Sequence, residues 1–187
     1  KKIYEPKERI IYRLPFNPDR IVQHSIMNIL EPIWDNLFIY NSYSCRKGKG
    51  IHKASQKTME FIRNIPNGYC LKMDISKFYP PINHHILFKI IKQKIKCKDT
   101  LELLKNIIYS IHGNKNIPIG NYTSQWFGNI YMNELDQYLK HEHKIKHYVR
   151  YCDDFLIIHK DKNFLFNLSK YIEEFLKIKL YLKLSKN

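Results

Sequence analysis

Tyr148-Val149-Arg150-Tyr151-Cys152-Asp153-Asp154-Phe155-Leu156-Ile157-Ile158 is the stretch whose reading decides the fold. Two runs rich in β-branched and aromatic residues flank a short polar centre, a pattern that predicts a β-hairpin. Two adjacent carboxylates sit at its tip, on a stiff support. Adjacent Asp side chains repel each other, and a bound divalent cation would remove that cost. Hard cations such as Mg²⁺ take oxygen ligands, usually a few carboxylates completed by substrate phosphates. An Asp-Asp pair alone is more often a solvated turn. A second carboxylate far upstream, in a similar setting, changes that balance.

That carboxylate lies in Tyr69-Cys70-Leu71-Lys72-Met73-Asp74-Ile75-Ser76-Lys77-Phe78-Tyr79-Pro80. An apolar run leads into Asp74, and a tight segment leads out to two aromatics. A strand ending in Asp places a metal ligand at a sheet edge; the competing role for Asp74 is a cap on the next helix. Asp74 and Asp153 can meet only if both strands belong to one sheet.

Composition narrows the class. The chain has 187 residues, 44% of them apolar and 14% aromatic, enough for one large domain or two interlocked small ones with a buried core. Its formal charge of +15 and pI near 9.6, with Tyr and Phe interleaved among the cations, point to a polyanionic partner, most simply nucleic acid. An anionic membrane surface fits the charge alone, but no apolar run reaches the roughly 18 residues of a spanning helix. There is no signal-peptide pattern. Cys45, Cys70, Cys97 and Cys152 lack C-x-x-C spacing and read as reduced thiols of a cytosolic protein. The chain starts at Lys1 and stops in Leu184-Ser185-Lys186-Asn187 without a closing element, so a fragment of a longer protein is expected.

Taken in order, residues 1–20 are basic, and Arg9 to Leu14 reads as a strand ending at Pro15. Its alternating charge suits a solvated edge strand and a phosphate contact equally. Asp19 is the expected N-cap of a helix with Ile21, Val22, Ile26, Ile29 and Leu30 at helical spacing. Tyr43 to Gly50 is a basic glycine loop that lacks P-loop spacing and reads as a surface turn or a phosphate cradle. A helix from Ile51 to Ile65 ends in the turn Pro66-Asn67-Gly68. His84 to His112 predicts two helices broken near Cys97-Lys98-Asp99, with His84-His85 at the surface. Ser124 is the expected cap of a helix from Trp126 to His141, and the string Gly120-Asn121-Tyr122-Thr123 is placed to bring backbone close to a ligand. His141, His143 and His147 lack a fourth ligand and sit among lysines, so no metal site is expected there. After the hairpin, Phe164 to Leu176 predicts a helix, and Leu180, Leu182 and Leu184 alternate like a further strand.

Strand-borne carboxylates, a basic loop and strong positive charge suit phosphoryl transfer on nucleic acid. Such chemistry needs positioning and charge neutralisation more than protein acids or bases. That explains the lack of a Ser/His/Asp or Cys/His system.

Asp74 with its flanks and Tyr151-Cys152-Asp153-Asp154 resemble the A and C motifs of reverse transcriptases, the second being the Y-x-D-D box. The order of segments is similar over nearly the whole chain. Ile119-Gly120-Asn121-Tyr122-Thr123-Ser124-Gln125 has Ile where group II intron and retroviral enzymes carry Gln, and Ser-Gln where they carry Ser-Pro. In this, and in Ser44 to His52, the chain resembles the reverse transcriptases of diversity-generating retroelements.

The resemblance implies an α+β right-hand polymerase fold with residues 1–50 and 83–123 as fingers, 51–82 and 124–187 as palm, and the thumb absent. It implies RNA-directed DNA polymerase activity with two Mg²⁺ ions, Mn²⁺ being a substitute, in the bacterial or phage-infected cytoplasm. Partners would be template RNA, a DNA or RNA primer, dNTPs and a small basic accessory protein. Asp74 and Asp153 would bridge the ions, Asp154 would complete the acidic patch, and the Ile75 carbonyl would add a ligand. Lys77 and Phe78 amides would face the triphosphate, and Tyr79 would be the steric gate against a ribose 2′-OH. Arg9 and Lys7 would hold the β/γ-phosphates, with Ile119 and Gly120 beside the incoming nucleotide. Arg46, Lys47 and Lys49 would line the template path. Alternatives are a group II intron-like, retron or antiphage reverse transcriptase, a non-catalytic RNA-binding module, and a metal nuclease.

Overall fold

The computed structural model describes residues 2–4 and 9–185, without the side chains of Ile3 and Arg9. The expectations for Lys7 and for the Arg9 side chain therefore lie outside the described residues. In chain order the elements are β1 (Lys2–Ile3), β2 (Arg9–Ile10), α1 (Ile21–Asp35), α2 (Ile51–Asn64), β3 (Tyr69–Asp74), α3 (His84–Lys94), α4 (Lys98–Ile108), α5 (Tyr122–Gln137), β4 (Tyr148–Tyr151), β5 (Asp154–His159) and α6 (Lys162–Lys179). They form two compact units, Lys1–Leu37 with Tyr79–Tyr131 and Phe38–Phe78 with Met132–Asn187. The α+β class expected from the sequence is the class observed.

In the first unit β1 and β2 pair antiparallel, and Ile11 then bridges Ile119 in parallel, with the Tyr12 amide donating to the Ile119 carbonyl at 2.9 Å. Helix α1 buries Ile26, Met27, Leu30 and Trp34, one stripe at helical spacing. Asp19 does not cap it: a single wide turn, Phe16–Arg20, feeds the helix, and Arg20 at the cap position is already helical. Asn83 caps α3 by accepting from the Ile86 amide at 3.1 Å. His84 is wholly buried, contrary to the surface position expected. Its Nε2 lies 2.7 Å from the Asn116 carbonyl, and its ring meets Tyr109 edge-on. Gly120, at φ 111°, is required by packing: a Cβ there would come within 2.9 Å of Ile11 Cγ2 and 3.0 Å of the Tyr12 carbonyl. Helix α5 begins before the expected Trp126, so Ser124 lies inside it; residues through Tyr131 belong to the first unit and the rest to the second.

The second unit is built on a three-stranded antiparallel sheet in the order β3-β5-β4. The predicted hairpin is β4–β5. Val149 and Ile158 pack with Tyr43, Ala54, Phe61 and Ile65, so α2 covers one face. Helix α6 packs against β3 and β5 and buries Leu165, Leu168, Ile172 and Leu176 at i, i+3, i+7 and i+11. Asp161 caps α6, accepting from the Asn163 and Phe164 amides at 2.7 and 3.1 Å. Beyond α6 the expected strand is reduced to one bridge, Leu184 with Ile75. The Ser76 amide donates to the Lys183 carbonyl at 2.9 Å and the Ser185 amide to the Asp74 carbonyl at 2.8 Å. The segment thus extends the sheet at the end of β3 without forming a full strand. Among the described residues no helix is long and apolar enough to cross a membrane.

Candidate active site

Asp74 closes β3 and Asp154 opens β5, and the two are direct partners in the register. Direct partners across an antiparallel pair present their side chains on the same face, with Cβ atoms about 5 Å apart. The sheet thus joins two carboxylates that lie far apart along the chain. Tyr151 pairs with Asp154, so the hairpin turn consists of Cys152 and Asp153 alone, with Cys152 left-handed at φ 58°. The expected pair at the tip is therefore divided: Asp153 sits in the turn and Asp154 is already in the strand. Asp74 and Asp153 are half-buried, while Asp154 is exposed.

Burial pushes the Asp153 carboxyl above the usual carboxylate range. Hydrogen bonds from its own amide and the Cys152 thiol oppose the shift, and the charges of Asp74 and Asp154 add to it. The Ser185 hydroxyl donates to Asp74 Oδ2 at 2.8 Å, fixing one carboxylate oxygen. Among the described residues no three His, Cys, Asp or Glu side chains are drawn together tightly enough to hold an ion as they stand. The donor chemistry nevertheless fits a hard divalent cation. All the ligating atoms would be oxygens, and a cation would relieve the mutual repulsion that Asp153 feels.

The hairpin is held from behind by an ion pair. Arg150 and Asp136 are both fully buried. Arg150 Nε donates to Asp136 Oδ1 and Oδ2 at 2.8 and 3.0 Å, and Nη2 to Oδ2 at 2.6 Å. The Tyr148 hydroxyl donates to Asp136 Oδ1 at 2.7 Å. Arg150 Nη1 donates to the Cys152 carbonyl at 2.9 Å, inside the turn. Asp136, Arg150 and Ser185 were missed in the sequence. For Arg150 a signal existed: it shares strand parity with Tyr148, and a charge at a core position requires a buried partner. Nothing singled out Asp136 or Ser185.

The other predicted positions have varied surroundings. Ile75 and Phe78 are buried, and Lys77 is exposed at φ 47°. In the first unit the half-buried Tyr79 accepts at its carbonyl from the Ile82 and Ile117 amides, at 3.3 and 3.2 Å. Ile119 is half-buried and Gly120 exposed. The basic loop of the second unit uses its own cations. Arg46 Nη1 donates to the Ile39 and Ser42 carbonyls, both at 2.8 Å, and Lys49 Nζ to the Tyr40 carbonyl at 2.8 Å while lying 3.4 Å from that ring centre. Lys47 is exposed. All four cysteines are free, the thiols expected.

The same α+β fold, with its three-stranded sheet and hairpin, is found in solved telomerase structures. Telomerase from Candida albicans, in complex with a TWJ fragment of telomeric RNA, matches with a TM-score of 0.60 at 13% identity, over 89% of this chain and 33% of that one. Telomerase from Candida tropicalis with the same kind of fragment matches at 0.63 and 14% identity, over 84% and 32%. By sequence, Protein YkfC of Escherichia coli is 27% identical over 153 residues, 74% of this chain and 40% of that protein. A COX1/OXI3 intron 2 protein of Saccharomyces cerevisiae is 29% identical over 139 residues, 67% of this chain and 16% of that protein. The chain thus spans less than half the length of these relatives.

The chain belongs to the family described as reverse transcriptase (RNA-dependent DNA polymerase), whose sequence pattern it matches over residues 5–187.

Proposed function

We propose that this chain is the fingers and palm of an RNA-directed DNA polymerase of the diversity-generating type, with residues 1–50 and 83–123 as fingers and 51–82 and 124–187 as palm. The observation that carries the activity is the Asp74–Asp154 register with Asp153 in the adjoining turn. Asp74 and Asp153 hold two Mg²⁺ ions, with Asp154 and the Ile75 carbonyl completing the set. When bound, these ions neutralise phosphate charge and lower the pKa of the attacking hydroxyl. The reaction is in-line attack of a primer 3′-OH on the α-phosphorus of a dNTP, with the bond to pyrophosphate breaking. Lys77 and Phe78 amides, Arg9 and Lys7 bind the triphosphate. Tyr79 excludes the ribose 2′-OH, and Arg46, Lys47 and Lys49 follow the template.

The diversity-generating subtype rests on the motif Ile119 to Gln125. A Gln at position 119 could hydrogen-bond the incoming sugar and couple its position to correct pairing. Ile offers shape alone, which loosens discrimination against mispairs, above all opposite adenine. A second reading, an intron-encoded reverse transcriptase, is favoured by the intron name of the Saccharomyces cerevisiae relative.

The test is primer extension on an RNA template by the full-length protein, with and without Mg²⁺, followed by sequencing of the products. Extension that requires Mg²⁺ is expected; its absence overturns the activity. Errors concentrated opposite adenine, reduced by Ile119→Gln, support the diversity-generating type. An even, low error spectrum that Ile119→Gln leaves unchanged favours the intron reading.

A further inference from the structure

The Arg150–Asp136 pair has no place in the chemistry above, yet it is the most deeply buried charge in the second unit's sheet. Taking two charges out of water is costly, and well-packed apolar residues of similar volume often serve stability as well or better. Stability therefore does not account for the pair. An apolar pair could not accept from the Tyr148 hydroxyl, nor could it reach the turn as Arg150 Nη1 does, donating to the Cys152 carbonyl at 2.9 Å.

That carbonyl belongs to a strained residue. Cys152 adopts φ 58° without being glycine, in a turn of only two residues. A left-handed non-glycine residue is unfavourable and persists only where its surroundings hold it. The peptide that follows leads directly into Asp153. Asp136 fixes the guanidinium through three hydrogen bonds, and Tyr148 fixes Asp136 through a fourth. The Nη1 arm of the fork is thereby aimed at the turn. A chain of three residues, Tyr148 to Asp136 to Arg150, thus ends on one backbone oxygen next to a candidate ligand.

We infer that Arg150, locked by Asp136 and Tyr148, is a positioning residue: it clamps the Cys152 carbonyl and so sets how the turn presents Asp153. The functional part of this inference rests on Asp153 being a metal ligand. Arg150 itself touches no substrate.

The test uses the full-length protein. Removing Asp136 alone would strand a buried charge and the Tyr148 hydroxyl, so the main variant is the double variant Asp136→Leu with Arg150→Met in a Tyr148→Phe background, which replaces the network by apolar side chains. Arg150→Lys is the second variant; it keeps the charge opposite Asp136 but cannot reach both the carboxylate and the turn. Three quantities are read: thermal unfolding, hydrogen exchange of the Cys152, Asp153 and Asp154 amides, and the Mg²⁺ concentration for half-maximal primer extension. Either folded variant should exchange the turn amides at least roughly tenfold faster, with exchange in α6 unchanged. The Mg²⁺ requirement should rise roughly 10- to 100-fold, as when a partner of a metal ligand is lost, while the KM for dNTP moves less than about threefold. Should the double variant not fold, Arg150→Lys decides alone. Wild-type turn exchange in a folded variant overturns the clamp. Faster exchange with an unchanged Mg²⁺ requirement overturns its positioning role. Asp153→Asn, assayed alongside, separates this failure from that of the polymerase reading: extension that survives in Asp153→Asn removes Asp153 from the chemistry, whereas the amide exchange still decides the clamp.

Discussion

Asp153 sits where burial, and then the charges of Asp74 and Asp154, oppose its ionisation. Its folded pKa is raised above the unfolded value. Its contribution to stability is therefore fully present below the unfolded pKa and is lost as pH rises through the folded one. Without metal, Asp153→Asn should stabilise the fold by about 0.5 kcal/mol at pH 7, the scale of one cross-strand charge pair, and by less near pH 4. Adding Mg²⁺ should erase the gain by stabilising the wild type alone. The same substitution should abolish primer extension. Calorimetry at both pH values, with and without Mg²⁺, checks the first part. A variant less stable than wild type at pH 7 without metal would show that the acids are not in conflict. Tyr79 carries a separate prediction. Its backbone carbonyl bonds survive truncation, so Tyr79→Ala should fold normally. It should raise ribonucleotide use relative to dNTPs by roughly tenfold or more, the scale of pocket-shape discrimination. Unchanged selection would assign the gate elsewhere.

At the scale of elements, period and composition made β3, the β4–β5 hairpin and α6 legible. The strands stand out as short runs rich in apolar and aromatic residues, although in β3 only Met73 is buried, whereas α6 repeats apolar residues at helical spacing and its buried face follows directly. Element ends were less legible because tertiary contacts set them. Ser124 looks like a cap, but α5 starts at Tyr122. Asp19 looks like one too, but the turn Phe16–Arg20 delivers the chain to α1 already helical. Asp74 was visible at a strand end and Asp153 with Asp154 at a hairpin tip, but their register was not, because it depends on pairing across distant segments. The segment after α6 was the hardest. Alternating leucines suggested a strand, while the structure uses it for a single bridge that brings Ser185 to Asp74. Ser185→Ala should leave the melting temperature within about 1 °C, since a half-exposed hydroxyl contributes little to stability. It should lower the extension rate about fivefold, the value of about 1 kcal/mol for one typical net hydrogen bond. Ser185→Thr should restore it. Equal rates for wild type and Ser185→Ala would make the contact incidental to the chemistry.

For the molecule as a whole, the formal charge of +15 is a statement about partners. Some of its cations serve the chain itself. Arg150 is buried against Asp136, and Arg46, Lys49 and Lys53 donate to backbone carbonyls. The lysines at exposed positions keep their full charge at the surface, so the long-range field survives even where their geometry is committed. A field of that kind attracts phosphates without reading bases. Binding of single-stranded RNA should therefore depend steeply on salt and little on sequence. If about five phosphates are neutralised, log K should fall with log salt at a slope of about −3.5. Two RNAs of equal length and scrambled sequence should bind within about threefold of each other, and Asp153→Asn should bind both as well as wild type does, because removing an acid cannot weaken attraction for a polyanion. Fluorescence anisotropy titrations between about 50 and 300 mM salt measure all three. A slope near zero, or strong preference for one sequence, would mean that contacts to bases rather than the surface field govern binding, and the charge would then need another explanation.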